Sequence, residues 1–489
     1  MKNIFNKYYS IVILAGCTLL PPVMGCNKYL NEPLPSGEIT QANAFVSDNS
    51  ISAVVTGNFM NLVNTGFFNG GGYAGDFEFA LYTDETLYYN TGDATALPFL
   101  YYLNEIVTDD ANANFWSPMY NQIYDVNAAL AGIQGATATL YYKNQWLGES
   151  YFNRAVEYFY LTNLYGPVPL ALTTDYAVTD ALGRAPQTQV YQQIVSDLQQ
   201  ARSLLNYSYT NAYGATTSDR VRPDRYSATA MLAKVYLYEQ KWDSAEMMAD
   251  SVIANTSTYA LEPLSSVFTA NGKETIWSVE IPPTNTAPQE YIEYIGSMPV
   301  PIPSGSTPNK YSVYSWLDTA LVNTFEPGDG RLTTWTRQDS ITGSPGSTFY
   351  SPYKYNTQST TTQLPIILRM GELYLIRAEA RAEQGNIAGA QSDLNAVRTR
   401  AGLPATTAAD QPSLLTAIMH ERRVELFTEN GNRFFDLKRW GTIDSVMTAY
   451  DAIKGSGAAW STYKQLLPLP SNDLQQDPNL NQNTGYAVQ

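Results

Sequence analysis

The densest group of charged side chains in this chain lies between Glu421 and Gly441. This stretch holds four acidic and five basic residues, interleaved with large apolar ones. The carboxylates suit general acid–base chemistry, but charges beside buried rings persist only when they are paired and hydrogen-bonded. We therefore predict an internal arginine–carboxylate network that locks two elements together, with structural roles for Arg433, Asp436 and Arg439.

Other catalytic and metal-binding constellations are poorly represented. His420 is the only histidine and both cysteines lie near the N-terminus, so the body lacks the ligands of a zinc site. No EF-hand or Walker-type phosphate loop occurs, and we predict no metal, no cofactor and no catalytic residue. Glycoside hydrolysis needs only two carboxylates, so a hydrolase using Glu149, Glu372 or Glu379 remains an alternative.

Aromatic residues in loop-rich segments offer a different chemistry, because a tyrosine or tryptophan ring can pack against the C–H face of a sugar. The chain contains 37 tyrosines, and two segments, 66–100 and 281–360, combine aromatic residues with the irregular backbone typical of binding loops. We predict that a ligand contacts these segments. The candidate contacts are Tyr73, Tyr88, Tyr89, Tyr291, Tyr294 and Trp335, with Asp84 as a polar partner.

Helical periodicity predicts the scaffold that positions these loops. Apolar residues recur at helical spacing over 116–131, 149–164 and 187–206. Two helical hairpins are predicted at about 226–254 and 366–400, with small residues where their helices cross, as in tetratricopeptide-type repeats. The aromatic segment 255–364 separates them. We predict a mainly α fold in which a tetratricopeptide-like helical scaffold packs against an irregular, loop-rich half.

The N-terminus is typical of an exported protein. A basic start with Lys2 and Lys7 precedes an apolar run that is too short to span a bilayer. Cys17 and Cys26 each end a lipobox-like sequence. Cys17 has the better local pattern, but it leaves a very short apolar region after Lys7. Cleavage by an ordinary signal peptidase, giving a soluble periplasmic protein, is the alternative. A net charge of −16 argues against nucleic acid as a partner.

Several ordered motifs resemble the SusD/RagB family of outer-membrane lipoproteins. The strongest match is the C-terminal signature at 414–441, with its Glu-Arg-Arg-x-Glu-Leu and Arg-Phe-Phe-Asp-Leu-x-Arg-Trp-Gly runs. Further matches are the Trp-x-x-x-Tyr-x-x-Ile-x-x-x-Asn helix from Trp116, Tyr-Gly-Pro-Val-Pro ending at Pro169, and the Asn-Gln-Asn-Thr-Gly-Tyr tail ending at Tyr486.

The resemblance implies a signal peptide at 1–25, lipidation of Cys26, a tether at 26–43 and a single body at 44–489. The run from Cys26 to Pro33 is similar to the start of mature family members. The implied function is capture of an oligosaccharide or polysaccharide at the outer-membrane surface and delivery to a SusC-like TonB-dependent transporter. A peptide ligand is the alternative within the family, and a helical-repeat adaptor that binds only proteins is a further one.

Overall fold

Helices form most of the computed structural model, so the prediction of a mainly α fold is confirmed. The structure describes residues 43–64, 67–68, 75–88, 96–108, 115–283, 285–296, 315–340, 348–455 and 459–487. In chain order its first helices are α1 (Asp48–Asn64), α2 (Gly75–Tyr82), α3 (Leu97–Leu103), α4 (Trp116–Gly135), α5 (Lys143–Tyr165), α6 (Tyr176–Thr179), α7 (Gln187–Leu204), α8 (Arg225–Tyr238) and α9 (Trp242–Ile253).

The later helices surround and follow the loop-rich segment. They are α10 (Gln289–Tyr294), α11 (Thr319–Val322), α12 (Gly330–Thr334), α13 (Met370–Glu383), α14 (Ile387–Arg400), α15 (Gln411–Glu425), α16 (Asn432–Arg439), α17 (Ile443–Lys454) and α18 (Ser471–Gln476). A 3-10 turn at Thr462–Gln465 lies between α17 and α18. Within the described residues, no helix is long and apolar enough to cross a membrane.

The two hairpins are α8–α9 and α13–α14, and they pack on each other through α9 and α13. Asp224 starts α8 with a capping box, since its side chain accepts from the backbone N–H of Ser227. Fully buried alanines at 245 and 249 of α9 allow the close helix crossing that the small residues predict. The second hairpin begins at Met370 rather than 366, because residues 366–369 form a strand.

Short strands organise the loop-rich half. They are β1 (Thr86–Tyr88), β2 (Val168–Pro169), β3 (Arg184–Ala185), β4 (Thr275–Ser278), β5 (Ser315–Leu317), β6 (Thr336–Ser340), β7 (Thr348–Pro352) and β8 (Ile366–Arg369). An antiparallel sheet runs in the order β1-β5-β7-β6, and separate pairs are β2–β3 and β4–β8. The four-stranded sheet thus joins segment 86–88 to the distant segment 315–352.

The largest apolar core surrounds α5, which contacts α4 and α7 and is buried along most of its length. Its ring Phe152 meets Trp277 of β4 edge-on, with ring centroids 4.8 Å apart. Tyr160 stacks on Phe67 at 4.3 Å. The body from Ala44 to Gln489 forms one compact unit. The predicted signal peptide, Cys17, Cys26 and nearly all of the predicted tether lie outside the described residues.

Candidate ligand-binding site

The charges of the C-terminal stretch lie in the interior. Glu425 ends α15 with no exposed surface, and it accepts from Arg369 Nη1 at 2.6 Å, from Arg331 Nη1 at 2.9 Å and from Arg400. We call these four residues the central ion network. Burial would raise the pKa of Glu425, but Arg400, Arg369 and Arg331 together lower it well below its usual range. The network ties α15 to α12, β8 and α14.

A second group of charges joins α15 to α16 and α13. Asp436 is buried and accepts from Arg422 Nε at 2.7 Å and from Arg439 Nε at 2.8 Å. Arg439 also pairs with Glu379 of α13. Burial would raise the pKa of Asp436, but Arg422 and Arg439 lower it. These contacts confirm that Asp436 and Arg439 hold helices together, as predicted.

Asp84 belongs to the same kind of interior pairing, and its predicted role as a ligand contact is corrected. Its carboxylate accepts from Arg433 Nε at 2.7 Å and from Arg423 Nη2 at 2.8 Å, and the residue is 4% exposed. Burial would raise the pKa of Asp84, but Arg433 and then Arg423 lower it to about 2. Both carboxylate oxygens of Asp84 accept from an arginine, so Asp84 fastens the start of β1 to α15 and α16.

Trp335 and Tyr294 are also interior residues, so their predicted sugar contacts are corrected. Trp335 is 1% exposed, donates its indole N–H to the Leu264 carbonyl at 2.9 Å, and has three cations within 5.1–5.7 Å of its ring. Tyr294 is 1% exposed, and its ring centroid lies 5.4 Å from that of Phe77. Neither ring has a free face on which a sugar could stack.

Among the predicted contacts that the structure describes, Tyr88 and Tyr291 are half-buried. Tyr88 ends β1, and its ring centroid lies 5.7 Å from that of Phe99. Tyr291 lies on α10, which contacts β5, and β5 pairs with β1. The structure therefore brings these two elements to one region although their sequences are far apart. Tyr73 and Tyr89 lie outside the described residues.

A further aromatic residue, Trp316 of β5, was not among the individual candidates. Its register partner is Leu87, and its half-buried ring lies 5.5 Å from the half-buried ring of Phe349 on β7. The neighbours Ser315 and Leu317 are fully buried, so alternation turns Trp316 to the opposite face of the sheet. The period of two in Ser-Trp-Leu was the available signal.

Polar groups accompany this pair of rings. Arg337 Nε lies 2.9 Å from Asp339 Oδ1 on β6, and Ser351 donates its hydroxyl to Asp339 Oδ2 at 2.7 Å. Strand pairing of Asp339 with Phe349 and of Arg337 with Ser351 puts these side chains on the sheet face that carries Trp316. We call Trp316, Phe349, Arg337 and Asp339 the aromatic face. Trp316 and Phe349 offer ring surface and the half-buried Arg337 offers N–H donors, whereas Asp339 is 1% exposed and holds the Arg337 guanidinium in place.

The only histidine in the chain lies beside a glutamate. His420 is half-buried, and its Nε2 lies 3.5 Å from Glu326 Oε1. Burial lowers the pKa of His420. No cluster of three or more His, Cys, Asp or Glu side chains could hold a metal ion within those residues.

Comparison with known proteins gives a consistent assignment. The SusD family model matches residues 103–486. A SusD-like protein of Formosa agariphila is 24% identical and aligns over 98% of this chain and all of its own length. The starch-binding protein SusD of Bacteroides thetaiotaomicron is 32% identical over 26% of this chain and 22% of its own.

Solved structures share the fold. A SusD superfamily protein of Bacteroides vulgatus has a TM-score of 0.75 at 19% identity, covering 90% of this chain and 99% of its own. A laminarin-binding SusD-like protein has a TM-score of 0.73 at 22% identity, covering 90% and 100%. The match of the family model over most of the chain identifies this protein as a member of the SusD family.

Proposed function

We propose that this protein is a lipid-anchored component of the outer-membrane surface that captures an oligosaccharide and delivers it to a SusC-like TonB-dependent transporter. Membership of the SusD family supports this proposal. Two relatives carry names that specify glycans, starch for one and laminarin for the other. A glycan is therefore the ligand class that the relatives favour for this chain.

The observation that carries the proposal is the aromatic face. Trp316 and Phe349 present two adjacent half-buried rings beside the Arg337–Asp339 pair. A sugar ring packs its C–H face on an aromatic ring, while its hydroxyls accept hydrogen bonds from a guanidinium such as that of Arg337. Stacking on an aromatic side chain contributes about 1–3 kcal/mol for nucleic-acid bases, and we expect a similar or smaller value here. Tyr88 and Tyr291 stay proposed contacts, as do Tyr73 and Tyr89, but Tyr88 pairs with Ser315 and therefore lies on the sheet face opposite to Trp316.

We further propose binding without cleavage. The carboxylates named for a hydrolase are held in ion pairs: Glu149 with Arg222 at 2.5 Å, Glu372 with Lys234 at 3.0 Å, and Glu379 with Arg439. Glu149 has no exposed surface, and the other two are each 3% exposed. A general acid must reach the glycosidic oxygen, which these buried and neutralised groups do not.

The anchor in this proposal is the acylated Cys26, followed by the tether at 26–43. Each acyl CH₂ placed in the bilayer contributes about 0.8 kcal/mol, and attachment becomes stable when more than one chain is present. The proposed anchor would keep the protein beside a transporter. Recovery of a TonB-dependent transporter with the lipidated protein, and its absence with a Cys26→Ala control, would support the delivery step.

The ligand class is tested with one purified sample of residues 27–489. A glycan array should show binding to a defined set of oligosaccharides, and a reducing-sugar assay on the bound glycans should show no release. Binding to a peptide panel with no glycan signal would assign the protein to peptide capture. Time-dependent release of reducing ends that persists through further purification would instead establish a hydrolase.

A further inference from the structure

A separate cavity of about 720 Å³ lies where the C-terminal end of α5 and the start of α7 meet α16 and the segment 462–484. This size is within the range of about 300–1,000 Å³ that is usual for small-molecule sites. Its described lining residues include Lys438 and Arg439 but no aspartate or glutamate. Arg439 is paired with Glu379 and Asp436, so Lys438 is the lining cation that has no carboxylate partner among the described residues.

Lys438 is incompletely satisfied in this cavity. Its ammonium donates to the carbonyl of Asn163 in α5. This carbonyl has no helical hydrogen bond, because the residue four positions later is Pro167, which has no backbone N–H. Among the described residues no carboxylate is within ion-pairing distance of Lys438, although an ammonium has three N–H donors. Burial without a compensating charge lowers the pKa of Lys438 to about 7. The ammonium also lies 4.9 Å from the centroid of the Phe434 ring. Because Lys438 is half-buried, its remaining N–H groups are open to water or to a ligand in the cavity.

Lys454 shows that the fold can satisfy a buried lysine fully. Its ammonium donates to the carbonyls of Leu81 and Tyr82 at 2.9 and 3.0 Å, and to Asn104 Oδ1 at 3.1 Å. All three of its donors therefore have protein acceptors. Lys454 is 6% exposed, whereas Lys438 is half-buried, so Lys438 keeps N–H groups that a ligand in the cavity can accept from.

Tyr238 supplies a second donor to the same cavity. Its hydroxyl oxygen is buried and has no hydrogen-bond partner in the described part of the chain. Its ring is held in place by Phe159, with centroids 4.9 Å apart, and by the guanidinium of Arg439. Arg439 itself is occupied by Asp436 and Glu379. A ligand acceptor that reaches this hydroxyl would give it the partner it lacks.

We propose that this cavity binds a hexuronate, a sugar that carries a carboxylate group. Lys438 pairs with the carboxylate, and Tyr238 donates a hydrogen bond from its hydroxyl to the ligand. One unpaired cation matches one carboxylate, whereas a phosphate dianion would keep an uncompensated charge. Tyr191 and Tyr463 offer ring surface, and Gln187 offers an amide for sugar hydroxyls. This site shares no residue with the aromatic face, so it extends the proposed function without depending on it.

Calorimetric titration of the mature protein with glucuronate, galacturonate and glucose tests this proposal. At least one hexuronate should bind and glucose should not. Lys438→Met should weaken hexuronate binding at least tenfold, Lys438→Arg should retain most of it, and Tyr238→Phe should give a smaller loss. Trp316→Ala should bind hexuronate like the parent, which separates this site from the aromatic face. Absence of hexuronate binding by the folded parent, or unchanged binding by Lys438→Met, would overturn the proposal.

A second measurement needs no variant, in case Lys438→Met does not fold. Acetylation of the unmodified protein, followed by peptide mass spectrometry, reports the accessibility of each lysine amine. Hexuronate should slow acetylation of Lys438 at least severalfold, and glucose should not. Acetylation of Lys241, whose side chain is 52% exposed, should be unaffected as an internal control. Equal acetylation of Lys438 with and without saturating hexuronate would contradict the assignment.

Discussion

Replacement of Asp436 with alanine tests whether the charges of the C-terminal stretch act through structure. The Asp436 carboxylate is 3% exposed and accepts from two guanidinium groups, those of Arg422 and Arg439, at 2.7 and 2.8 Å. Arg439 keeps its pairing with Glu379 in the variant. Arg422 is 1% exposed, and its nearest other carboxylate, that of Glu372, is 3.7 Å away. The variant therefore leaves one buried cation poorly compensated.

The magnitude follows from this geometry. Removal of one partner from a buried ion pair costs about 3–5 kcal/mol, and we expect Asp436→Ala to lower the free energy of unfolding by that amount. Asp436→Asn keeps the shape and one acceptor oxygen, so its cost should be smaller, about 1–3 kcal/mol. The matched control is Glu239→Ala, which removes a pair with the 52%-exposed Lys241. That control should change stability by less than about 1 kcal/mol.

Urea unfolding followed by tryptophan fluorescence measures all three variants. The expected order of stability is Glu239→Ala near the parent, then Asp436→Asn, then Asp436→Ala. If Asp436→Ala is as stable as the exposed-pair control, the energetic reasoning about the buried network is wrong. If it folds normally and loses glycan binding, Asp436 belongs to the ligand site.

Further predictions concern pH, packing and anchoring. Since the pKa of Asp84 is about 2 in the folded protein and ordinarily 3.8, it should contribute about 2 kcal/mol at neutral pH that is lost as the pH falls from about 4 to 2. Unfolding measurements across that range should show a smaller pH dependence for Asp84→Asn. Gly371→Ala should destabilise the protein, as measured by calorimetry, because the added Cβ would overlap the central ion network. Gly57 has open space around it, so Gly57→Ala should stabilise α1 by up to about 1 kcal/mol. Cys26→Ala should release the protein from the membrane fraction and Cys17→Ala should not; the reverse result would place the mature start at Cys17.

Local sequence patterns predicted the helices well. In α8 the residues Ala228, Leu232 and Val235 follow helical spacing and are all buried, as are nearly all other residues of this helix. The strand at 366–369 falls within the hairpin predicted at about 366–400, because three apolar residues, Ile366, Ile367 and Leu368, do not distinguish a strand from a helix. Its pairing with β4, almost 90 residues earlier, decides the conformation.

The candidate site was harder to predict, because burial in loop-rich segments depends on partners far along the chain. Asp84 pairs with Arg433, 349 residues later. Trp335 lies in a segment whose composition is typical of an exposed loop, yet the guanidinium groups of Arg369 and Arg400 cover its ring. Such pairings leave no local periodicity. Trp316 is the opposite case, since strand alternation between two buried residues would have indicated its direction.

The central claim, glycan capture by the aromatic face, is tested most directly by calorimetric titration of the parent and Trp316→Ala with the best oligosaccharide from a glycan array. Loss of one stacking contact should weaken binding about tenfold, since about 1.4 kcal/mol corresponds to a factor of ten. The melting temperature should stay near that of the parent, and Tyr176→Ala, which removes a 73%-exposed tyrosine elsewhere, should bind normally. Equal affinity of Trp316→Ala and the parent would contradict the assignment of the site.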